Sequence, residues 1–247
     1  MIRVMKMNGL AAVGLLLAAA GVAGCAAGQP PAQVPDARSC LTRVTQDLRI
    51  PWPDNTTTNI VAFGHSVPAG YGVTPIVHKR DAYPRLLEDA LSDHYPHAVL
   101  NVITAGVGGE NSTQGLARLQ RDVIDHHPRV VLIDFALNDR TLGAGAAKAN
   151  LVAMVAAVRS AGACPVLMTP TWDEHAAPDQ PEDALAQQAG MIRQLGKEQG
   201  IPVADSLAAF AAYQGDRHAL MAQFNHPNAA GHRLVLSRLL PLFLQSE

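Results

Sequence analysis

A chain of 247 residues, 48% of them apolar, is long enough for one globular domain with a substantial core. A formal net charge of −2 offers no basic field for nucleic acid, and 4% aromatic residues leave few platforms for stacking single strands. Nucleic-acid binding is therefore excluded as a class.

In chain order, Arg3 and Lys6 precede an uncharged apolar run from Gly9 to Gly24. The run is shorter than the ~20 residues that span a bilayer, so residues 1–24 read as a signal peptide. It ends Val22-Ala23-Gly24-Cys25, which resembles a bacterial lipobox. On that resemblance Cys25 becomes the acylated first residue of the mature chain. Two or more acyl chains would then hold it on a bacterial membrane, at the periplasmic or extracellular face. Residues 25–39 continue as anchor and small, Pro-rich tether, and the domain is expected over 40–247. Cys40 and Cys164 remain. In an oxidising compartment such a pair often forms a disulfide, the alternative being two buried thiols.

Short apolar runs then alternate with longer amphipathic ones. Strands are expected at 59–63, 98–103, 130–135, 165–168 and 201–204, and helices at 81–93, 112–126, 145–161, 184–199 and 229–244, the last capped by Asn228. Five β-then-α units imply a three-layer α/β/α domain with a five-stranded parallel sheet in flavodoxin-like order. A dinucleotide site is the obvious rival, but Gly106-Val107-Gly108 runs on to Asn111 where the third glycine belongs.

In open α/β sheets, chemistry gathers beyond the carboxyl ends of the strands. The first strand ends in Gly64-His65-Ser66, the second in Gly106-Val107-Gly108-Gly109 and the third in Ala136-Leu137-Asn138-Asp139. Asn225-His226-Pro227-Asn228 follows the fifth at a distance. A hydroxyl, a glycine turn, a carboxamide and an imidazole are the parts for acyl transfer: nucleophile, oxyanion donors and base. Taken singly, Ser66 reads as a helix cap, Asn138-Asp139 as turn residues and His226 as a loop histidine. Metal hydrolysis has little support, since His126 and His127 are adjacent and no H-E-x-x-H occurs. No G-x-S-x-G elbow is present either.

Four blocks in order, GHSVPAGYG, ITAGVGGENSTQGLARL, FALND and NHPNAAGH, resemble the SGNH or GDSL hydrolases over about residues 59–240. The resemblance implies Ser66 as nucleophile, His226 as base and an oxyanion hole of the Ser66 and Gly109 N–H groups with the Asn138 side chain. It implies no cofactor and no metal. Within the family, GHS and NHPN look like a consistent lipoprotein branch. The implied reaction is hydrolysis of a carboxylic ester through an acyl-serine. The expected substrate is a small acyl ester, such as an acetyl group on carbohydrate or cell-envelope polymer. Lysophospholipase or thioesterase activity is an alternative, as is a lipid-anchored module that binds acylated glycan without cleaving it.

Three positions depart from the pattern. His65 stands where the first block usually has Asp, Ala136 where the third has Gly, and Gln223 where the family's catalytic Asp precedes the His by three residues. His65 is not expected to be the base, because adjacent side chains diverge in a strand-to-helix turn. A Ser-His dyad oriented by Gln223 or by a carbonyl is preferred over a triad completed by Asp205 or Asp216. Asp173 and Asp139 also lie near the active edge.

Overall fold

The computed structural model describes residues 37–244, so the expected signal peptide, the lipobox-like Cys25 and most of the expected tether lie outside the described residues. The chain opens with α1 (Ala37–Asp47), a helix not expected from the sequence, although Leu41, Val44 and Leu48 carry its spacing and are buried. β1 (Thr57–Gly64) leads into the four-residue α2 (Ser66–Ala69). α3 (Tyr83–His94), β2 (Val99–Gly106), α4 (Ser112–Asp122), β3 (Val130–Asp134) and the short α5 (Ala136–Asp139) follow. The chain continues through α6 (Ala144–Ser160), β4 (Cys164–Met168), α7 (Ala184–Gln199), β5 (Val203–Ala204) and α8 (Ser206–Ala212). A small antiparallel pair, β6 (Met221–Gln223) and β7 (His226–Pro227), precedes α9 (Ala229–Leu239).

The five-stranded sheet is parallel in the order β2-β1-β3-β4-β5. The inner strands β1, β3 and β4 are buried on both faces because helices cover both, whereas the edge strand β2 is half-buried. Ile60, Ala62, Val130 and Leu132 pack into a core with α1, α3, α8 and α9. Val61, Phe63, Val131 and Ile133 pack into a second core with α4, α6 and the later turns of α7. Truncating one of these side chains, Leu132→Ala for example, costs roughly 2–5 kcal/mol in such a core.

Helix boundaries follow local chemistry. Asn111 and Gln114 form a reciprocal capping box on α4, Asp183 caps α7 and left-handed Gly200 ends it. Asn228 caps α9, accepting from the Ala230 and Gly231 N–H groups. β2 runs three residues further than expected, in register with β1 to Gly64 opposite Gly106. Glycine is required at its end, since a Cβ on Gly106 would sit 2.7 Å from the His65 oxygen. The order reverses at β1, so the ends of β1, β2 and β3 open onto one crevice. Cys40 on α1 and Cys164 on β4 form a disulfide with a Cα–Cα distance of 5.8 Å.

Candidate active site

Ser66 is the first residue of α2, directly after β1. The opening N–H groups of a helix have no partner within it, so the Ser66 N–H is available to a ligand atom. Opposite stands His226, brought in by the β6–β7 pair and packed by α9. Its Nε2 is 2.9 Å from Ser66 Oγ and its Nδ1 is 2.9 Å from the Gly72 carbonyl oxygen. A carbonyl only accepts, so Nδ1 carries the hydrogen and Nε2 presents its lone pair to the serine hydroxyl. That is the tautomer a general base needs.

This arrangement replaces the expected roles of three side chains. The Gln223 amide does not receive His226 Nδ1–H; its Oε1 accepts from the Thr74 N–H at 2.9 Å and its Nε2 donates to Asn225 Oδ1 at 3.0 Å. Asp205 caps α8 and is gripped by Arg193 at 2.7 Å and by the Thr169 hydroxyl at 2.9 Å. Asp216 caps the turn at 217–220, accepting from the His218 N–H. Each of these side chains is committed to partners other than His226. Of the other acids near the edge, buried Asp173 pairs with Arg140 at 2.6 Å and Asp139 accepts from the Ser112 N–H at 2.7 Å. Of the orientations foreseen, the carbonyl is the one observed.

His65 does not diverge from Ser66 as expected, since its Nδ1 lies 3.4 Å from Ser66 Oγ. It is unfit as the base for another reason. Nδ1 accepts from the Val67 N–H at 3.2 Å, so its lone pair is occupied capping α2. The hydrogen then sits on Nε2, facing buried Asp134 at 3.6 Å, too far for a good hydrogen bond. Tyr83 donates to the other Asp134 oxygen at 3.0 Å. Burial, then the Asp134 charge, push the Tyr83 phenol up, so it remains protonated and donating.

The other two expected oxyanion donors follow the next two strand ends. Gly109 follows β2 with φ +80°, a conformation that favours glycine, and a Cβ there would meet nothing within 4 Å. Asn138, on α5, donates from Nδ2 to the Glu110 carbonyl at 2.8 Å, which ties it to the glycine turn. Beneath the turn, buried Arg118 binds the Gly64 carbonyl at 2.9 Å, the Ala105 carbonyl at 3.0 Å and the Glu110 carboxylate at 2.5 Å. Sequence reasoning passed over Arg118, whose signal was a cation on the apolar face beside Gly115 and Leu119. It also passed over Gly72, for which a backbone oxygen leaves no signal.

Burial depresses the His226 pKa, the Gly72 carbonyl opposes the shift, and nearby His65 adds to it. Behind it, buried His232 is pushed down to about 3, chiefly by burial and further by His226, and accepts from the Tyr83 N–H through Nδ1. No group of three or more His, Cys, Asp or Glu able to hold a metal occurs among the described residues. A cavity of about 840 Å³ beside β5, lined among others by Arg193, Lys197 and Asp205, includes none of Ser66, Gly109, Asn138 or His226.

A serine hydroxyl hydrogen-bonded to a correctly tautomerised imidazole, at the sheet's carboxyl edge, is the geometry of the serine hydrolases. The GDSL-like lipase/acylhydrolase family matches residues 62–234, and the chain belongs to that family. An arylesterase from Vibrio mimicus is 33% identical over 111 residues, 44% of this chain and 52% of that protein. Thioesterase 1/protease 1/lysophospholipase L1 of Escherichia coli strain K12 is 32% identical over 111 residues, 44% of this chain and 49% of that protein. The matched region thus spans about half the length of these curated relatives. An acetylxylan esterase from Geobacillus stearothermophilus has the same fold, with a TM-score of 0.66 at 20% identity over 76% of this chain and 95% of that one.

Proposed function

We propose that this protein is a serine esterase that removes small acyl groups, acetyl above all, from carbohydrate or cell-envelope substrates. The observation that carries the reading is the Ser66–His226 contact, with Nδ1 held by the Gly72 carbonyl. His226 Nε2 takes the hydroxyl proton as Ser66 Oγ attacks the ester carbonyl. The tetrahedral oxyanion is met by the Ser66 and Gly109 N–H groups and the free N–H of the Asn138 amide. His226 then protonates the leaving alcohol, and a water activated by the same imidazole releases the acid. One missing oxyanion donor typically costs ~10²–10³ in rate.

Support for an acetylated carbohydrate is the fold shared with an acetylxylan esterase. A lysophospholipid or thioester is the second reading, favoured by the Escherichia coli relative and by exposed Val73, Ile76 and Val77 beside Gly72. Ser66→Ala is expected to abolish p-nitrophenyl acetate hydrolysis and fluorophosphonate labelling while leaving the melting temperature nearly unchanged. Retained turnover would sink the mechanism, and a wild-type chain that never labels would favour a binding module. Rates over a panel of acetylated glycans, lysolipids and acyl thioesters then rank the substrates. The resemblance of Val22-Ala23-Gly24-Cys25 to a lipobox supports an enzyme anchored to a bacterial membrane, at its periplasmic or extracellular face, through acylated Cys25. Cys25→Ser is expected to move it out of the membrane fraction, and unchanged fractionation would refute the anchor.

A further inference from the structure

The loop that follows α2 supplies the Gly72 carbonyl, and it is held in an unusual way. It closes on itself through Gly72 N–H to Ile76 O at 3.0 Å, Ile76 N–H to Val73 O at 2.8 Å and His78 N–H to Gly70 O at 2.7 Å. Its apolar side chains do not anchor it, since Val73, Ile76 and Val77 are 55%, 54% and 46% exposed. Two polar contacts tie it to the β6–β7 pair: His226 Nδ1 on Gly72 O and the Thr74 N–H on Gln223 Oε1, both 2.9 Å. Gln223 and His226 are themselves register partners in that pair. The four residues therefore form a closed ring, His226 to Gly72, along the loop to Thr74, across to Gln223 and back to His226.

We infer that Gln223 is a positioning residue that fixes the catalytic imidazole indirectly, by clamping the Gly70–His78 loop so that the Gly72 carbonyl stays on His226 Nδ1. The family's pattern has an Asp at this position. Here the position carries an amide that holds the stand-in acceptor instead. Both ends of that amide are satisfied, Oε1 by the Thr74 N–H and Nε2 by Asn225 Oδ1, which sets which way the group faces. Without the clamp the loop keeps its internal bonds but loses its second tie to β6. Gly72 O then drifts, and the imidazole is free to rotate or to change tautomer.

The kinetic readout rests on the esterase reading above, but a second readout does not. Gln223→Ala is expected to lower kcat about ten- to a hundred-fold with little change in KM, the scale of a ~1 Å misplacement. The titratable groups around His226 are Ser66 and His65 on the nucleophile side, Tyr71 at a ring-centroid distance of 6.0 Å, and His232 behind. None of them is altered by the change. Loss of the Gly72 carbonyl removes what holds the imidazole pKa up, so the acid limb of kcat/KM moves to lower pH even as the plateau falls. Gln223→Glu keeps an oxygen for the Thr74 N–H, with the Asn225 amide turned to donate, and is expected to restore kcat and move the limb up. In the resting enzyme, the downfield imidazole Nδ1–H proton resonance of His226 should be sharp in wild type and Gln223→Glu and exchange-broadened in Gln223→Ala. A Gln223→Ala enzyme with unchanged kcat and an unchanged resonance overturns the clamp. So does a loss of kcat that Gln223→Glu fails to recover while the resonance stays sharp. Because the resonance needs no turnover, failure of the esterase reading, seen as Ser66→Ala retaining activity, is distinguishable from failure of the clamp.

Discussion

At the scale of single residues, the identity of the base turns on one hydrogen. Two imidazoles lie within reach of Ser66 Oγ, at 2.9 Å for His226 and 3.4 Å for His65. They differ in what the other contacts demand. The Gly72 carbonyl forces the hydrogen of His226 onto Nδ1, whereas the Val67 N–H claims the Nδ1 lone pair of His65. The pH dependence follows. Burial lowers the His226 pKa, the Gly72 carbonyl partly offsets this, and no carboxylate among the described residues contributes to the shift. A base must be neutral to accept a proton, so a lowered pKa extends activity towards acid. The acid limb of kcat/KM should have its midpoint below the ~6.5 of a free imidazole, and a midpoint well above that would mean a hidden carboxylate partner. The same geometry predicts that Asp205→Asn and Asp216→Asn each leave kcat nearly unchanged. The cost of Asp205→Asn should appear in stability instead. Although burial alone would raise the Asp205 pKa, Arg193, the Ala208 N–H and the Thr169 hydroxyl together bring it below the usual carboxylate value. A carboxylate whose folded pKa is depressed stabilises above its unfolded pKa of ~3.9 and loses that contribution as pH falls through the folded value. The asparagine variant should therefore lie closest to wild type in acid, as denaturant titrations at several pH values would reveal. A loss near ~10⁴ in kcat for either variant while folded would restore the triad.

At the scale of elements, the short helices carry the chemistry and cannot support themselves. α2 has four residues, far below the ~12–15 at which an isolated helix becomes even marginal in water. It is held by β1 before it, by β2 beneath it and by the His65 side chain at its N-terminus. His65→Ala removes the Val67 N–H acceptor and the imidazole that faces the Asp134 carboxylate, which keeps its hydrogen bond from Tyr83. Loss of a cap costs typically ~1 kcal/mol, and displacement of Ser66 should lower kcat as well. Asn is a strong capping residue, so His65→Asn is expected to recover most of kcat. Equal losses in the two variants, measured by denaturation and by p-nitrophenyl acetate turnover, would show that the cap is not what His65 contributes.

At the scale of the whole molecule, the disulfide joins the first described helix to the start of β4. Cys40 and Cys164 are 124 residues apart, and a loop of that length is worth up to roughly 5 kcal/mol in the chain-entropy account. Reduction should lower the denaturant midpoint substantially without changing which residues meet at the crevice. Two reactive thiols in the denatured, unreduced protein would exclude the bridge.

Much of this protein was legible because its signals are local. Buried parallel strands must be apolar on both faces, so runs such as Asn59–Phe63 and Val130–Phe135 stand out against amphipathic neighbours. A nucleophile, a glycine turn and an oxyanion amide must each follow a strand directly, so Ser66, Gly109 and Asn138 sit in short, readable blocks. α1 and α8 went unread because the first begins in a Pro-rich stretch and the second has seven residues. By itself, then, the sequence determined the layer architecture and the side chains that gather at its carboxyl edge. Only the tertiary structure decided how His226 is held. Its acceptor is a main-chain oxygen 154 residues away, and the Thr74–Gln223 bond spans 149. Every residue has a carbonyl, so nothing in a sequence distinguishes the one that folding brings to an imidazole.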